Sequence, residues 1–347
     1  MASTSLIGLD IGSTGVRVAQ IRRGKNGPEL VCWDRCPLPP GAVHGGVVHD
    51  DRAVTQVVKD LRSVSRPRGE AAALAVTSPQ VVVRETTVAA VPAREMRASL
   101  PLQVRDALPL PVEESVLDFH PLGPPEGGRV RGLLVAAPKD AVITAVHAVE
   151  RAGLRVARVD LGAFALLRAT ASLDGQVEAI VDLGARTTGV VVHRDGVPLI
   201  VRTLPRGGAE VTETIARRLD LPDAEAETLK SLVGLHADDP QTVQAVQEAV
   251  RPVVREILSS FAYLTSGGRS DQVARLRLTG GGALLPGLVE ALGAQAGVPA
   301  RLADPLMRVG GDADADLPGA GPEATDGSGR LRVSASIAIG LTLGETG

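Results

Sequence analysis

Two short segments of this 347-residue chain share one pattern, and this internal repeat constrains the fold more than any other feature. Residues 9–21 (LDIGSTGVRVAQI) and 181–192 (VDLGARTTGVVV) each contain an apolar run that ends in Asp-Ile-Gly or Asp-Leu-Gly. Small and hydroxyl residues follow, and then a second apolar run. The pattern predicts a strand, a tight glycine turn and a strand in both places. Because the two copies lie roughly half a chain apart, they predict two related lobes.

The residue types in the repeated turns suit phosphate binding. Consecutive backbone N–H groups in a glycine turn can hold phosphate oxygens, and carboxylates such as Asp10 and Asp182 can hold Mg²⁺ through its waters. Additional hydroxyl donors come from Ser13, Thr14, Thr187 and Thr188. A single D-x-G turn is more often an ordinary hairpin turn. Two copies, together with a third glycine loop at 279–282 (TGGG), favour nucleotide binding.

Apolar spacing and turn residues predict alternating strands and helices along most of the chain. Helices are predicted over 51–64, 93–108, 139–152, 162–172, 208–219, 223–233, 241–266, 286–296 and 331–343. Strands are predicted over 5–9, 16–21, 72–76, 81–83, 132–137, 155–160, 178–183, 189–193, 197–204 and 274–279. We expect Pro101 and Pro252 to kink or interrupt their helices. Residues 309–330 have no apolar periodicity and predict an exposed flexible loop.

Composition excludes several functional classes. The net charge of −3 and a pI of about 6.1 leave no basic footprint for nucleic acid. Three Phe, one Tyr and one Trp supply no platform for base stacking. The N-terminal sequence MASTSLIGLDIG has no basic region, and the chain has no run of 18 apolar residues. We therefore expect neither a signal peptide nor a membrane span, and a cytoplasmic protein.

The remaining residues with reactive or aromatic side chains show no site-like pattern. Cys32 and Cys36 have no second cysteine pair nearby, which argues against zinc. We expect two ordinary thiols, with a redox pair as the alternative. The six histidines are scattered without ligand spacing, and Trp33 and Phe119 are expected to pack in the core rather than contact a partner.

Three segments resemble the nucleotide-binding motifs of the actin-like ATPase superfamily. Asp10–Arg17 is similar to its phosphate-1 loop, Asp182–Gly189 to phosphate-2, and Leu278–Leu285 to the adenosine motif. The resemblance implies an α/β, ribonuclease H-like fold of two lobes with ATP and Mg²⁺ between them. Asp10 and Asp182 would be the metal ligands. The implied nucleotide-binding residues are Gly12, Ser13, Thr14, Arg17, Gly184, Thr187, Thr188, Gly208, Glu227, Lys230, Gly280, Gly281 and Gly282.

Two further features of this resemblance concern helices. Glu227 and Lys230 are similar to a segment that contacts ribose and adenine, but their spacing fits a solvated ion pair on a helix equally well. The predicted helices at 162–172 and 331–343 resemble the two connecting helices at which the lobes hinge. Small residues that would allow these helices to cross closely are Ala163, Ala165, Ala169, Ala335, Ala338 and Gly340.

Within the superfamily, residues 6 to about 305 and the final helix resemble the PilM family of type IV pilus assembly proteins. The stretch ALPLPVEESVLDF at 107–119 is the most specific part of this resemblance. The implied organisation is a first-lobe core (1–80), an inserted subdomain like that of the division protein FtsA (81–153), a return to the first lobe (154–176), the second lobe (177–330) and a returning helix (331–347). The implied function is a cytoplasmic ATP-binding scaffold, held at the inner face of the membrane by its partners. It would bind the cytoplasmic N-terminal tail of a PilN-like protein, contact pilus assembly ATPases and self-associate weakly.

Two departures from the family pattern bear on catalysis. Arg17 stands where the family usually has lysine, and a guanidinium is not equivalent to an ammonium. Gly162 stands in a segment that usually carries an acidic residue. We therefore expect ATP binding with slow or absent hydrolysis, and we assign no catalytic residue.

Two other functions compete with the scaffold. A small-molecule kinase of the same fold would need a general base, and no further aspartate stands in a motif-like loop. An FtsA-like filament that binds membrane would end in a basic amphipathic helix, whereas this chain ends in IAIGLTLGETG.

Overall fold

The computed structural model describes residues 6–24, 27–105, 108–109, 111–236, 239–264, 271–309 and 333–344. The strands are β1 (Ile7–Ile11), β2 (Gly15–Gly24), β3 (Gly27–Pro37), β4 (Val43–His44), β5 (Val47–Val48), β6 (Ala71–Val76), β7 (Val82–Ala89), β8 (Ser115–Pro121), β9 (Arg129–Pro138), β10 (Arg155–Leu161), β11 (Val177–Leu183), β12 (Thr188–Arg194), β13 (Val197–Leu204), β14 (Arg275–Thr279) and β15 (Ala300–Leu302). The helices are α1 (Asp51–Ser65), α2 (Ala93–Val104), α3 (Lys139–Arg151), α4 (Gly162–Thr170), α5 (Gly208–Leu219), α6 (Asp223–Leu232), α7 (Pro240–Phe261), α8 (Leu288–Ala296) and α9 (Ser336–Leu343).

Two five-stranded sheets repeat one topology, as the sequence repeat predicts. The first has the order β10-β6-β1-β2-β3, and the second has the order β15-β14-β11-β12-β13. In each sheet three consecutive strands form an antiparallel meander, and two later strands add in parallel to the first strand of that meander. This duplicated α/β arrangement of two lobes agrees with the fold that the resemblance implies.

Each sheet has an outer face that is covered by its own helices. Because side chains alternate along a strand, the odd-numbered residues of β1 turn outward with Val16 and Val18 and pack against α1 and α3. In the second lobe the corresponding side chains of β11 and β12 pack against α5 and α7. These two apolar clusters form the separate cores of the lobes.

The inner faces of the sheets are covered by the two connecting helices, α4 and α9. Ala73 and Ala75 of the first sheet, and Ile180 and Val191 of the second, share one cluster with both helices. The helices cross closely, because a Cβ on Gly340 would collide with the Ala165 carbonyl oxygen. This confirms the predicted close crossing of small residues and places both helices between the lobes.

A third sheet, with the order β7-β9-β8, carries α2 on one face. It lies within the predicted inserted segment 81–153. The helix α3 at the end of that segment packs on α1, and its Ala148 and Val149 belong to the first-lobe core. The domain boundaries themselves stay predictions.

Several local expectations needed adjustment. The helix predicted over 241–266 runs unbroken through Pro252, because Val250, Val253 and Val254 around it are buried in the second-lobe core. Packing of that apolar face offsets the backbone hydrogen bond that proline cannot make. Likewise, α2 continues through Pro101. Of the predicted loop 309–330, residues 310–330 lie outside the described residues, and Val309 is buried.

Strands β3, β4, β5, β8 and β15 were not predicted from the sequence. β3 reads GPELVCWDRCP, which mixes charged and apolar residues without regular alternation, and only its pairing with β2 makes it a strand. Trp33 within it is buried against α9, as predicted for a core residue. None of the helices in the described ranges is both long and apolar enough to cross a bilayer.

Both cysteines lie on β3, and neither is in a disulfide. Cys32 is buried and donates to the Ser65 carbonyl oxygen at 3.4 Å, and burial raises the pKa of its thiol to about 11. Four residues of extended strand place the two cysteines about 13 Å apart, well beyond the span of a disulfide. The two cysteines therefore cannot form the alternative redox pair in this conformation.

Candidate functional site

The two repeated turns have the same backbone geometry. The Gly12 N–H donates to the Gly15 carbonyl oxygen at 3.0 Å, and the Gly184 N–H donates to the Thr187 carbonyl oxygen at 2.9 Å. The strand registers also match, since the aspartate two residues before each turn glycine lies opposite Arg17 in one lobe and Gly189 in the other. The turns are therefore structural equivalents as well as sequence repeats.

A cleft between the lobes contains two adjoining chambers. The larger has a volume of about 660 Å³, which falls in the usual range for ligand sites. The smaller has about 70 Å³ and lies between the two turns. Thr14, Arg17 and Gly281 are among the residues that line both.

All but one of the predicted site residues line these chambers. The larger is lined by Thr14, Arg17, Gly184, Gly208, Glu227, Lys230, Gly281 and Gly282. The smaller is lined by Asp10, Gly12, Ser13, Thr14, Arg17, Asp182, Gly184, Thr187, Gly280 and Gly281. Thr188 is the exception, because strand alternation turns it to the opposite face, where its hydroxyl donates to the Arg206 carbonyl oxygen at 2.8 Å. The roles of these residues toward a nucleotide stay predictions.

The two aspartates bring buried negative charge into the smaller chamber. Burial raises the pKa of Asp10, against the opposing effect of Arg17. Burial and the Asp10 charge together raise the pKa of Asp182 to about 6. The described residues hold no group of three or more His, Cys, Asp or Glu side chains that could bind a metal unaided. Carboxylates can hold Mg²⁺ through its waters, so Asp10 and Asp182 are the residues of this chamber that could bind the ion.

Arg17 lies on β2, at the end of the segment that resembles the phosphate-1 loop. One of its terminal nitrogens lies 3.1 Å from the Asp10 carboxylate. Its Nε is buried and has no hydrogen-bond partner within the described part of the chain. An unpaired buried donor is costly, and an anion in the chamber would remove this cost. A Cβ at Gly12 would lie 2.8 Å from the guanidinium, so glycine at this position leaves room for it.

Lys230 is held in place by the protein itself. Its ammonium donates to the Glu227 carboxylate at 2.6 Å, the Thr212 hydroxyl at 2.8 Å and the Gly208 carbonyl oxygen at 3.1 Å. The ion pair between Glu227 and Lys230, which the residue spacing predicts as the alternative to nucleotide contact, is therefore present. Lys230 is buried, however, rather than solvated. Glu227 and Lys230 also line the larger chamber, and their predicted contact with a ribose or adenine stays a prediction.

The three glycines of the third loop have different roles. Gly280 has φ +82°, and a Cβ there would lie 2.5 Å from the Leu183 carbonyl oxygen. A Cβ at Gly282 would lie 2.7 Å from the Leu183 side chain. A Cβ at Gly281 would meet nothing within 4 Å. Gly280 and Gly282 therefore allow close packing against β11, and of the three glycines only Gly281 has open space at its Cβ position.

Comparison with known families shows the family to which the chain belongs. A family model described as type IV pilus assembly protein PilM matches residues 8–316. The chain belongs to the PilM family. In agreement, a solved PilM–PilN type IV pilus biogenesis complex contains a chain that is 27% identical to this one, with a TM-score of 0.81 and 98% of each chain covered.

The chain is also similar to cell division proteins named FtsA. FtsA of Borreliella burgdorferi is 29% identical over 187 residues, and this match spans 46% of the chain and 45% of that protein. The chain thus spans less than half the length of this relative. FtsA of Streptococcus pneumoniae is 24% identical, with 82% of the chain and 72% of that protein covered.

Two solved structures with lower identity show the fold alone. EutJ of Carboxydothermus hydrogenoformans is 18% identical, with a TM-score of 0.57 and 99% and 90% of the two chains covered. MreB5 of Spiroplasma citri, solved with AMPPNP bound, is 13% identical, with a TM-score of 0.53 and coverage of 87% and 92%.

The expected departure of this PilM-family chain at Gly162 has a structural counterpart. Gly162 lines the smaller chamber, and a Cβ there would collide with the Thr77 methyl group. The nearby Asp160 carboxylate accepts hydrogen bonds from Arg168 and from the Leu161 N–H. Thr77 therefore occupies the space that a side chain at position 162 would need.

Sequence reasoning missed several lining residues. Those from unpredicted or unmarked segments are Trp33, Arg35, Thr77, Thr203 and Ser334. Trp33 and Arg35 lie on β3, whose irregular pattern hid the strand. Of these residues, only Thr203 could have been predicted from the sequence repeat. The repeated topology extends to a third strand in each lobe, and Thr203 lies on that strand, β13.

Proposed function

We propose that this PilM-family chain is an ATP-binding scaffold of type IV pilus assembly that binds the cytoplasmic tail of a PilN-like partner. The observation that carries the nucleotide part is the pair of equivalent glycine turns that face each other across a cleft, with Asp10 and Asp182 between them. The similarity to the PilM chain of a PilM–PilN complex supports the partner. Binding to such a tail would hold the chain at the cytoplasmic face of the membrane.

The chamber residues fit ATP with Mg²⁺. The turns at Gly12 and Gly184 present backbone donors and hydroxyls for phosphate oxygens, and Asp10 and Asp182 would hold the hydrated ion. Bound Mg²⁺ would neutralise phosphate charge and keep both carboxylates ionised. The larger chamber would hold the nucleoside against the Gly281 backbone. No aromatic stack is needed for adenine in such a site.

The same cleft supports binding more than hydrolysis. The carboxylates that line it among the described residues are Asp10, Asp182 and Glu227. Asp10 is paired with Arg17, and Glu227 with Lys230. The position of Gly162 offers no acid to orient a water, and Thr77 fills its space. We therefore propose that nucleotide acts mainly as a ligand that closes the lobes.

The first test is nucleotide binding and turnover. Trp33 is the sole tryptophan and lines the larger chamber, so its fluorescence should change on titration with Mg²⁺ and ATP. We expect saturable binding and hydrolysis well below the rate of about 1 s⁻¹ that is typical of slow enzymes. Hydrolysis at or above that rate would contradict a structural role for nucleotide. Absence of any binding at millimolar ATP would contradict the nucleotide-binding function itself.

The second test concerns the partner. A peptide with the sequence of a PilN-type cytoplasmic N-terminal tail should bind the full chain, and Mg²⁺–ATP should tighten its binding by about 5-fold or more if closure couples the sites. Reciprocity requires the peptide to tighten ATP binding by the same factor. Titration calorimetry measures both. Peptide affinity that does not change with ATP would contradict the coupling. A scrambled peptide that binds equally well would contradict specific binding of a PilN-type tail.

A further inference from the structure

A second arginine lies beside Arg17 at the cleft. In the antiparallel pairing of β2 and β3, Arg35 stands directly opposite Arg17. Directly opposed side chains on a sheet lie on the same face with their Cβ atoms about 5 Å apart. Two like charges in this arrangement destabilise a sheet. Asp10 lies opposite Arg17 on its other side, on β1.

The side chains on one face of β3 run from the core to the cleft, and Arg35 is at the cleft end. Two residues earlier on the same strand and face, Trp33 packs against α9 together with Ala19. Arg35 is exposed and lines the larger chamber. The first-lobe strands and turn contribute Thr14, Arg17, Trp33 and Arg35 to this chamber. Most of its remaining wall comes from the second lobe, so Arg35 faces a ligand held on the opposite side of the cleft.

The internal repeat shows that this cationic pair belongs to one lobe only. In the second sheet Gly189 lies opposite Asp182, and Thr203 lies opposite Gly189. These are the positions that correspond to Arg17 and Arg35 in the first sheet. Gly189 and Thr203 both line the smaller chamber. Equivalent positions in both lobes thus face the cleft, and only the first lobe supplies positive charge there.

We propose that Arg35 binds the polyphosphate of a nucleotide whose base and ribose the second lobe holds, and that it thereby draws the lobes together. This inference rests on the nucleotide-binding function proposed above. A guanidinium presents paired N–H donors that match phosphate oxygens. A phosphate beside Arg17 and Arg35 would also attract both guanidinium groups and so offset the repulsion between them. Arg35 is therefore a positioning residue for the phosphates rather than a catalytic one.

The test compares ligands that differ only in phosphate. Calorimetry with Mg²⁺–ATP, Mg²⁺–ADP and adenosine should be performed on the unaltered chain and on Arg35→Gln. We expect affinities for ATP and ADP to fall about 10-fold, the effect of losing a charge-assisted hydrogen bond, and affinity for adenosine to change less than about 2-fold. Arg35→Lys keeps the charge and should recover part of the loss. Cooperative unfolding of the ligand-free variant checks that Arg35→Gln is folded.

Arg22→Gln is the matched control. Arg22 lies on the same hairpin, is exposed and pairs with Glu29 at 2.6 Å, and it lines neither chamber. It should leave all three affinities unchanged. Equal loss of adenosine and ATP binding in Arg35→Gln would overturn the proposal, as would no loss at all. If the unaltered chain binds no nucleotide, the nucleotide-binding function proposed above is wrong. This result can be distinguished from the two outcomes that contradict the role of Arg35.

Discussion

Replacement of Gly281 by phenylalanine is expected to weaken ATP binding by about 100-fold or more, a change of about 2.7 kcal/mol in binding free energy. Gly281 lines both chambers, and a Cβ there meets nothing within 4 Å. A large side chain would therefore enter the space that the nucleotide needs without disturbing the protein around it. Trp33 fluorescence or calorimetry measures the loss, and thermal unfolding of the ligand-free variant should match that of the unaltered chain.

Gly281→Ala provides the matched control. Its methyl group adds little volume, so we expect ATP affinity to fall by less than about 3-fold. The phenylalanine variant should also keep its affinity for the PilN-type peptide while losing the effect of ATP on it. A folded Gly281→Phe protein that binds ATP as tightly as the unaltered chain would show that the nucleotide does not occupy this cleft.

Loss of Glu178 is expected to lower the free energy of unfolding by about 3–5 kcal/mol, because it removes the carboxylate that buried His193 and two half-buried arginines share. The Glu178 side chain is fully buried, and its carboxylate lies 3.0 Å from His193 Nε2, 2.8 Å from Arg275 Nε and 3.1 Å from Arg277 Nε. It also accepts from the Ser172 backbone N–H at 2.8 Å. Glu178 thus ties the segment after α4 to β12 and β14. Denaturant unfolding of Glu178→Ala measures the loss.

The exposed pair of Glu29 with Arg22 provides the comparison. Glu29→Ala removes a surface ion pair and should cost less than about 1 kcal/mol. A loss for Glu178→Ala as small as this would show that the buried network contributes no net stability to the second lobe.

The Glu178 network also predicts a pH dependence of stability. Burial opposes ionisation of this carboxyl, but hydrogen bonds from His193, Ser172 and Arg277 outweigh it and lower the pKa from 4.5 to about 2. The unfolded chain therefore takes up the proton first as the pH falls. The contribution of the ionised carboxylate is complete above about pH 4.5 and is lost as the pH falls toward 2. The stability difference between the unaltered chain and Glu178→Gln should shrink over that interval.

The fold was largely predictable because it is built twice. A strand, a glycine turn and a strand recur with an aspartate in the same place, and this pattern predicted the first hairpin of each sheet, both turns and the two related lobes. Small residues at Ala165 and Gly340 predicted the close helix crossing. Turn chemistry and apolar periodicity are local properties, so a sequence displays them directly.

Other features were not predictable, because they depend on pairing across long distances. β3 is a strand through its register with β2, and this register alone sets Arg35 opposite Arg17. Glu178 gives no sign in its strand that it will meet Arg275, 97 residues away. Thr188 was expected in the site with Thr187, but adjacent strand residues face opposite sides, and the packing of the sheet decided which of the two lines the cleft.

The amino-acid sequence by itself therefore determined the duplicated lobes, the phosphate-type turns and the membership of the PilM family, since each is carried by local residue patterns. The tertiary structure alone decided which side chains meet at the cleft. It placed Lys230 in a closed set of hydrogen bonds, filled the space beside Gly162 with Thr77 and aligned two arginines across neighbouring strands. These contacts join residues of different helices, strands or loops, and only the packing and pairing of those elements bring the residues together.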